Sequence, residues 1–476
     1  MKSLLALLIL LAPCFAENAP PLLFTRPALG KTRIVFSYAG DLWSVPREGG
    51  DAARLTAGPG IETDPVFSPD GLEVAFSGEY EGNVDVYVVS VDGGIPRRLT
   101  YHPGSDVPVA WTPDGKRIVF RSNRESYSRF SKLFSIPVKG GFPESLPLPS
   151  GWSAAFSSDQ ARLAYMPITP ANTIWKHYRG GRTTPIWIAN LADSSVEKIP
   201  NNNCNDSNPL WMGKKVIFLS DRNGAIALFS YNPASGKVEQ ILPNNGLDLK
   251  WASSFGDTIA YEQFGAIHLF DLKSGKSKQV DIRLAGDITE VRPSMQKVGS
   301  KIVNARISPT GARAVFEARG EIFTVPADKG DVRDLTNTSG VAERDASWSP
   351  DGKQIAYFSD ASGEYQLHLR SQNGLGAVIK ISLGDHPAFF YKPAWSPDSK
   401  KIAYTDNRLN VWYIDLEKKL PVLIDTDTYQ TPFRDMSPEW SPDGKWIAYN
   451  KILKNHLRAV CVYSCLLYTS PSPRDS

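Results

Sequence analysis

Phe67-Ser68-Pro69-Asp70-Gly71, with the apolar run Val74-Ala75-Phe76 close behind it, returns along this chain with small variations. It stands as Trp111-Thr112-Pro113-Asp114-Gly115, Ile307-Ser308-Pro309-Thr310-Gly311 and Trp348-Ser349-Pro350-Asp351-Gly352. Trp395-Ser396-Pro397-Asp398 and Trp440-Ser441-Pro442-Asp443-Gly444 repeat it again. Weaker copies begin at Phe156 and Trp211, and Trp251 marks a degenerate one. Successive anchors lie 40 to 56 residues apart, the period of a four-stranded propeller blade.

One unit can be read strand by strand. Residues 65–67 form a short first strand ending in the aromatic. Ser-Pro-Asp-Gly then makes a turn, in which Pro presets φ, Asp bonds its own backbone and Gly accepts positive φ. Residues 74–76 and 85–89 follow as strands two and three. Asp92-Gly93-Gly94 turns the chain into a fourth strand at 97–100. No unit has room for a long helix.

The fold class expected is all-β. Units starting near residues 22, 65, 108, 153, 208 and 249 give a six-bladed β-propeller at 17–282. Residues 283–300 break the rhythm, carry Arg283, Arg292 and Lys297, and read as a linker. Units starting near Asn304, Asp345, Pro393 and Pro438 supply the first three to four blades of a second propeller, incomplete over 301–463. The last unit stops in its third strand, and the tail 464–476 reads as non-native or out-of-frame residues. Such an arc cannot close, so 301–476 alone is expected to be poorly soluble and 17–282 alone cooperative.

Composition excludes several classes. With 53 Lys+Arg against 50 Asp+Glu, the charge of +3 argues against a nucleic-acid partner. Lys2, the apolar run 4–11 and the small Ala16 read as a signal peptide over 1–16. Cys14 leaves a lipoprotein leader as the alternative. No other stretch is long and apolar enough for a membrane span, so no membrane insertion is expected after cleavage. Cys204, Cys461 and Cys465 make no disulfide framework.

Two phrases add specificity: Ile-Val-Phe-Ser-Tyr-Ala-Gly-Asp-Leu-Trp at 34–43 and Ile-Trp-Lys-His-Tyr-Arg-Gly-Gly at 174–181. With the six-plus-interrupted blade count, they make the chain similar to the N-terminal part of tricorn proteases of the bacterial type. That resemblance implies a six-bladed propeller, a seven-bladed one and then a catalytic region with a PDZ domain. It implies a serine peptidase that degrades peptides as a homo-oligomer, its propellers acting as access filters. The family's catalytic residues lie beyond this chain, so none is assigned here. The family is often described as cytoplasmic, whereas the leader argues for a periplasmic or extracellular protein. Ser-Pro-Asp-Gly turns also occur in the TolB propeller, so a periplasmic TolB-like protein-binding module is the alternative.

Chemistry within the chain is sparse. There is no Gly-x-Ser-x-Gly elbow, Walker loop, His-Glu-x-x-His or EF-hand loop. His102, His177, His268, His368, His386 and His456 are dispersed and read as loop-borne surface residues. A triad assembled from distant loops stays open, because such sites are recognised by geometry. A lone Asp per turn supplies too few oxygens for Ca²⁺, so no metal and no cofactor are expected. The recurring Trp and Phe anchors read as blade packing. Two insertions break the repeat, at 121–132 and 173–182. The second sets Lys176, His177, Arg179 and Arg182 beside Trp175 and Tyr178. Lys176, His177, Tyr178, Arg179 and Arg182 are therefore the candidate peptide or interdomain contacts, the plain alternative being a solvated hairpin tip. Read as exposed cations in mutual repulsion, Lys176 and Arg179 should be replaceable together by Ala with the melting temperature of 17–282 nearly unchanged.

Overall fold

Each Ser-Pro-Asp-Gly turn is closed by its own side chains. Ser68 Oγ donates to Asp70 Oδ1 at 2.6 Å, the Leu72 amide donates to the same oxygen at 3.0 Å, and Gly71 takes φ +77°. The pair recurs at Thr112–Asp114, Ser157–Asp159, Ser349–Asp351, Ser396–Asp398 and Ser441–Asp443, at 2.5 to 2.7 Å. Those hydroxyls hold each carboxyl below its ordinary value. Local hydrogen bonding therefore accounts for the repeated Asp without a metal.

The computed structural model describes residues 23–126, 130–170, 176–285, 288–292, 294–338, 340–385, 388–429 and 436–465. The expected leader, Thr173 to Trp175 and His386 lie outside the described residues, as does the tail after Cys465. Antiparallel four-stranded sheets follow one another in chain order, each strand pairing with the next. In the second blade the strands are Glu62–Phe67, Glu73–Gly78, Asp85–Ser90 and Arg97–Arg98. The six blades of the first set span 25–54, 62–98, 106–145, 153–198, 206–242 and 249–279. Four more span 302–334, 343–381, 390–426 and 439–464, the last with three strands.

The first ring closes by side-chain packing. Phe24, Phe36 and Trp43 of blade 1 share one core with Ala260, Ile267 and Leu269 of blade 6. In the second set, cores join blade 7 to 8, 8 to 9 and 9 to 10. The aromatic anchors also stitch blades through their indoles. Trp111, Trp395 and Trp440 donate Nε1 to Val66, Ser347 and Ala394 carbonyls of the preceding blade, at 2.9 to 3.2 Å.

Two expectations are corrected. Ile282–Leu284, whose last two residues read as linker, is a strand paired in parallel with Gly50–Arg54 on the outer edge of blade 1. The unpaired edge offers free backbone groups, and Ile282, 8% exposed, joins the core where blades 6 and 1 meet. Second, the histidines are not uniformly at the surface. His177 and His368 are 1% and 4% exposed, and His268 is half-buried within the strand Ala266–Asp271. Alternation along a strand buries every second side chain, so a His there is drawn into the packing.

Candidate functional site

Most second and third strands are joined by short turns, as at Ala39-Gly40 between Arg33–Tyr38 and Asp41–Pro46. In blade 4 the strands Arg162–Met166 and Trp187–Asn190 are instead separated by the long insertion 167–186. Lys176 and His177 lie in a turn, with His177 in the left-handed region at φ +52°. That conformation is uncommon for a residue with a β-carbon. Its cost is offset by what the ring reaches: Nε2 lies 3.0 Å from both carboxylate oxygens of Asp248.

Asp248 precedes the inner strand Leu249–Phe255 of blade 6 and is itself 6% exposed. Its Oδ1 also accepts the Ile226 amide at 2.8 Å. Burial alone would raise this carboxyl, but the His177 hydrogen bond and the charges of His177 and Lys176 bring it below its ordinary value. A His–Asp pair supplies two of the three members of a catalytic triad, yet this imidazole is sealed from solvent and therefore from substrate. The pair is structural.

The other candidates are likewise engaged. Arg179 donates to Asp221 Oδ2 at 2.7 Å and to the Asp221 carbonyl at 2.9 Å. Asn205 donates to the Tyr178 carbonyl and to Asp221 Oδ2, both at 2.8 Å, and Tyr178 is 7% exposed. Arg182 is half-buried in the same loop. Lys176 reaches furthest. Its ammonium contacts the Glu364 carboxylate of blade 8 and lies 3.7 Å from Asp248 Oδ2, while its carbonyl accepts from the Asn407 amide of blade 9. The expectation of exposed cations in mutual repulsion is thus corrected: Lys176, His177 and Arg179 each face a carboxylate.

The insertion at 121–132 is shorter than its sequence suggested. Arg121 and Ser122 complete the strand Arg117–Ser122, and Lys132 begins Lys132–Pro137. Arg124 pairs with the buried Asp106, and residues 127–129 lie outside the described residues.

A second group escaped sequence reasoning. Inner strands carry a bulge whose extra residue takes positive φ, at Arg26, Asp64, Asn208, Trp251, Asp345 and Lys392, all between 49° and 57°. In the first ring Arg26 bonds Asp64 and stacks 4.0 Å over Trp251, while Arg121 stacks 4.1 Å over Trp152. Burial pushes both guanidiniums down to about 10, and their mutual charge adds to this at Arg26. In the second set Asn304, Arg306, Asp345, Lys392, Ser437 and Glu439 line a cavity of about 270 Å³ between the inner strands. The available signal was the residue before each strand proline, as in Arg26-Pro27, Asp64-Pro65, Asn208-Pro209 and Lys392-Pro393.

Comparison with known proteins places this architecture. Residues 21–276 match the family described as the tricorn protease N-terminal beta propeller domain, and residues 302–466 match the tricorn protease second beta propeller domain. Tricorn protease homolog 1 of Streptomyces coelicolor is 26% identical over 347 residues, covering 72% of this chain and 32% of that protein. The tricorn protease homolog of Saccharolobus solfataricus is 26% identical over 412 residues, covering 85% and 37%. The chain thus spans about a third of the length of these curated relatives. The crystal structure of the tricorn protease superposes with a TM-score of 0.53 at 20% identity, over 94% of this chain and 44% of that one. A second tricorn-type propeller is what a TolB-like module does not call for. The chain belongs to the tricorn protease family, of which it carries the N-terminal propeller and blades of the second.

Proposed function

We propose that the two propellers scaffold and gate peptide hydrolysis by a serine-peptidase region belonging to a longer parent protein. The observation that carries this reading is the lining of the axes. Bulged inner strands turn Arg26, Asp64, Asp345 and Lys392 out of the blade ladder, and the second set holds a polar cavity between its inner strands. An extended peptide offers unpaired amides and carbonyls that such walls can hydrogen-bond, whereas a folded domain is too wide to enter. The catalytic step would be acyl transfer through an activated serine and an oxyanion hole, on residues outside this chain. Export rests on Lys2, the apolar run 4–11 and Ala16. Among the described residues no helix is long and apolar enough to cross a membrane. Assembly of the parent as a homo-oligomer is part of the same proposal.

The test uses the parent protein and a narrowed axis. Lys392→Trp adds bulk to the cavity wall without touching a nucleophile. Turnover of a decapeptide should fall several-fold, while a fluorogenic dipeptide is hydrolysed at the parental rate. Equal loss on both substrates would refute gating. The chain alone should hydrolyse di- to hexapeptides no faster than a blank.

A further inference from the structure

Among the described residues of the blade 4 insertion, Lys176 bonds directly to the second propeller while also lying near Asp248 of its own ring. Lys176 uses two separate groups toward the second propeller: its ammonium on Glu364 and its carbonyl under the Asn407 amide. Glu364 and Asn407 belong to different blades. A flexible surface lysine making one ion pair would fix little, because side-chain entropy and solvent cancel most of the attraction. Lys176 is different. Its backbone is anchored by the next residue, His177, which is buried on Asp248 in the left-handed region.

The surrounding contacts agree in shape and charge. Gly363, at φ +87°, approaches Leu247 so closely that a β-carbon there would lie 2.6 Å from Leu247 Cδ1. A β-carbon on Gly340 would come within 3.1 Å of Leu23 Cδ1. Lys176 and Lys250 on the first propeller attract Asp360 of the second, and Lys176 and His177 attract Glu364 against the repulsion of Asp248. Asp360 is held in place by accepting the Ala342 amide at 2.7 Å. Asn407 is oriented from behind, since its Oδ1 accepts the Phe389 amide at 3.3 Å.

We infer that the blade 4 loop is an inter-propeller clamp: Lys176 fixes the second propeller against the first through Glu364 and Asn407, with His177 and Asp248 as its positioning residues. Arg179 and Asp221 brace the loop from within the first ring and take no direct part. The partner is the acidic and amide-bearing edge formed by blades 8 and 9. The clamp is independent of the gating proposal, because it concerns geometry within this chain and needs no substrate.

The experiment measures that geometry in the full chain. Spin labels at Lys237→Cys and Lys418→Cys, both exposed in blades 5 and 9, are introduced into a Cys461→Ser, Cys465→Ser background. The inter-label distance distribution should be narrow and single. Lys176→Glu should broaden it at least twofold, and adding Glu364→Lys should restore much of the narrowing. Asn407→Ala and His177→Gln should broaden it as well, while Arg179→Ala lowers the melting temperature and leaves the width unchanged. His177→Gln carries the risk of unfolding the loop, which is why Lys176→Glu and Asn407→Ala stand beside it. A distribution that is broad in the parent chain, or unchanged in Lys176→Glu and Asn407→Ala, overturns the inference.

Discussion

Glu62, Asp106, Asp206 and Glu343 each open the inner strand of a blade, and all four are buried, at 0 to 2% exposure. Their partners differ. Arg124 reaches Asp106, and Arg222 donates to both oxygens of Asp206 at 2.9 and 3.0 Å while stacking 5.2 Å from Phe218. Glu62 and Glu343 meet hydroxyls, Thr56 at 3.0 Å in one case and Thr338 at 2.8 Å in the other. Burial accordingly pushes both glutamates up to about 7, with Asp41 adding to it at Glu62 and Glu321 at Glu343. A folded-state value above the unfolded one means that the associated stability is full at pH 4.5 and below and is lost as pH rises through 7. Glu62→Gln should therefore raise stability by about 1–2 kcal/mol at pH 8 and change it little at pH 5, as read from urea melts at the two values. A gain of equal size at both pH values would show that charge is not the cause. Arg222→Ala should cost about 3 kcal/mol, because it leaves Asp206 buried without its cation. The sequence offered a signal for these arginines: Ser122-Asn123-Arg124 and Ser220-Asp221-Arg222 stand at the same place after a second strand.

At the scale of elements, blades were legible and the blade 4 loop was not. A blade is written in local terms: a turn whose Ser and Asp bond each other two residues apart, and strands that alternate. Acid should test those turns directly. Each turn carboxyl has a depressed value, so its contribution is present above the unfolded value near 4 and is lost as pH falls through the folded one. Asp351→Ala, which removes bonds to Ser349 and Lys353, should cost about 1 kcal/mol at pH 7 and progressively less as pH falls below the unfolded value near 4. The loop, by contrast, takes its meaning from residues 71, 188 and 231 positions away, namely Asp248, Glu364 and Asn407. No local pattern encodes such pairings, so a run of cations read as a free patch. The consequence for stability reverses. Arg179→Ala, expected from sequence to be silent, strips a half-exposed guanidinium from Asp221, which is fully buried. Asn205 still donates to that carboxylate, so the loss should be about 2 kcal/mol rather than the full figure for an orphaned buried charge. Thermal melting of the full chain measures it.

For the whole molecule, the two sets of blades face opposite situations. The first ring buries both faces of every blade, and the strap Ile282–Leu284 covers an edge that would otherwise be bare. Counting units predicted this closure, but the strap was invisible because its three residues belong to no repeat. The second set is an arc, and its end blades show the faces that packing leaves uncovered. In the last strand, Arg458–Ser464, Cys461 and Tyr463 turn toward blade 9, whereas Val460 and Val462 are 71% and 60% exposed. At the other end, Val303 and Ile307 of the strand Ile302–Ile307 are 73% and 75% exposed. Apolar side chains on a bare β-face, beside unpaired strand edges, promote association of chains rather than a monomer. The chain should therefore self-associate as its concentration rises, in a manner that salt does not relieve. Replacing Val303 and Val462 by Lys puts charge on both faces while leaving the half-buried Asn304, Cys461 and Tyr463 intact. Sedimentation velocity should then show a shift toward monomer with an unchanged circular dichroism spectrum. If the double variant associates as strongly as the parent, the contacts lie elsewhere, and the exposed faces of the arc are not what brings chains together.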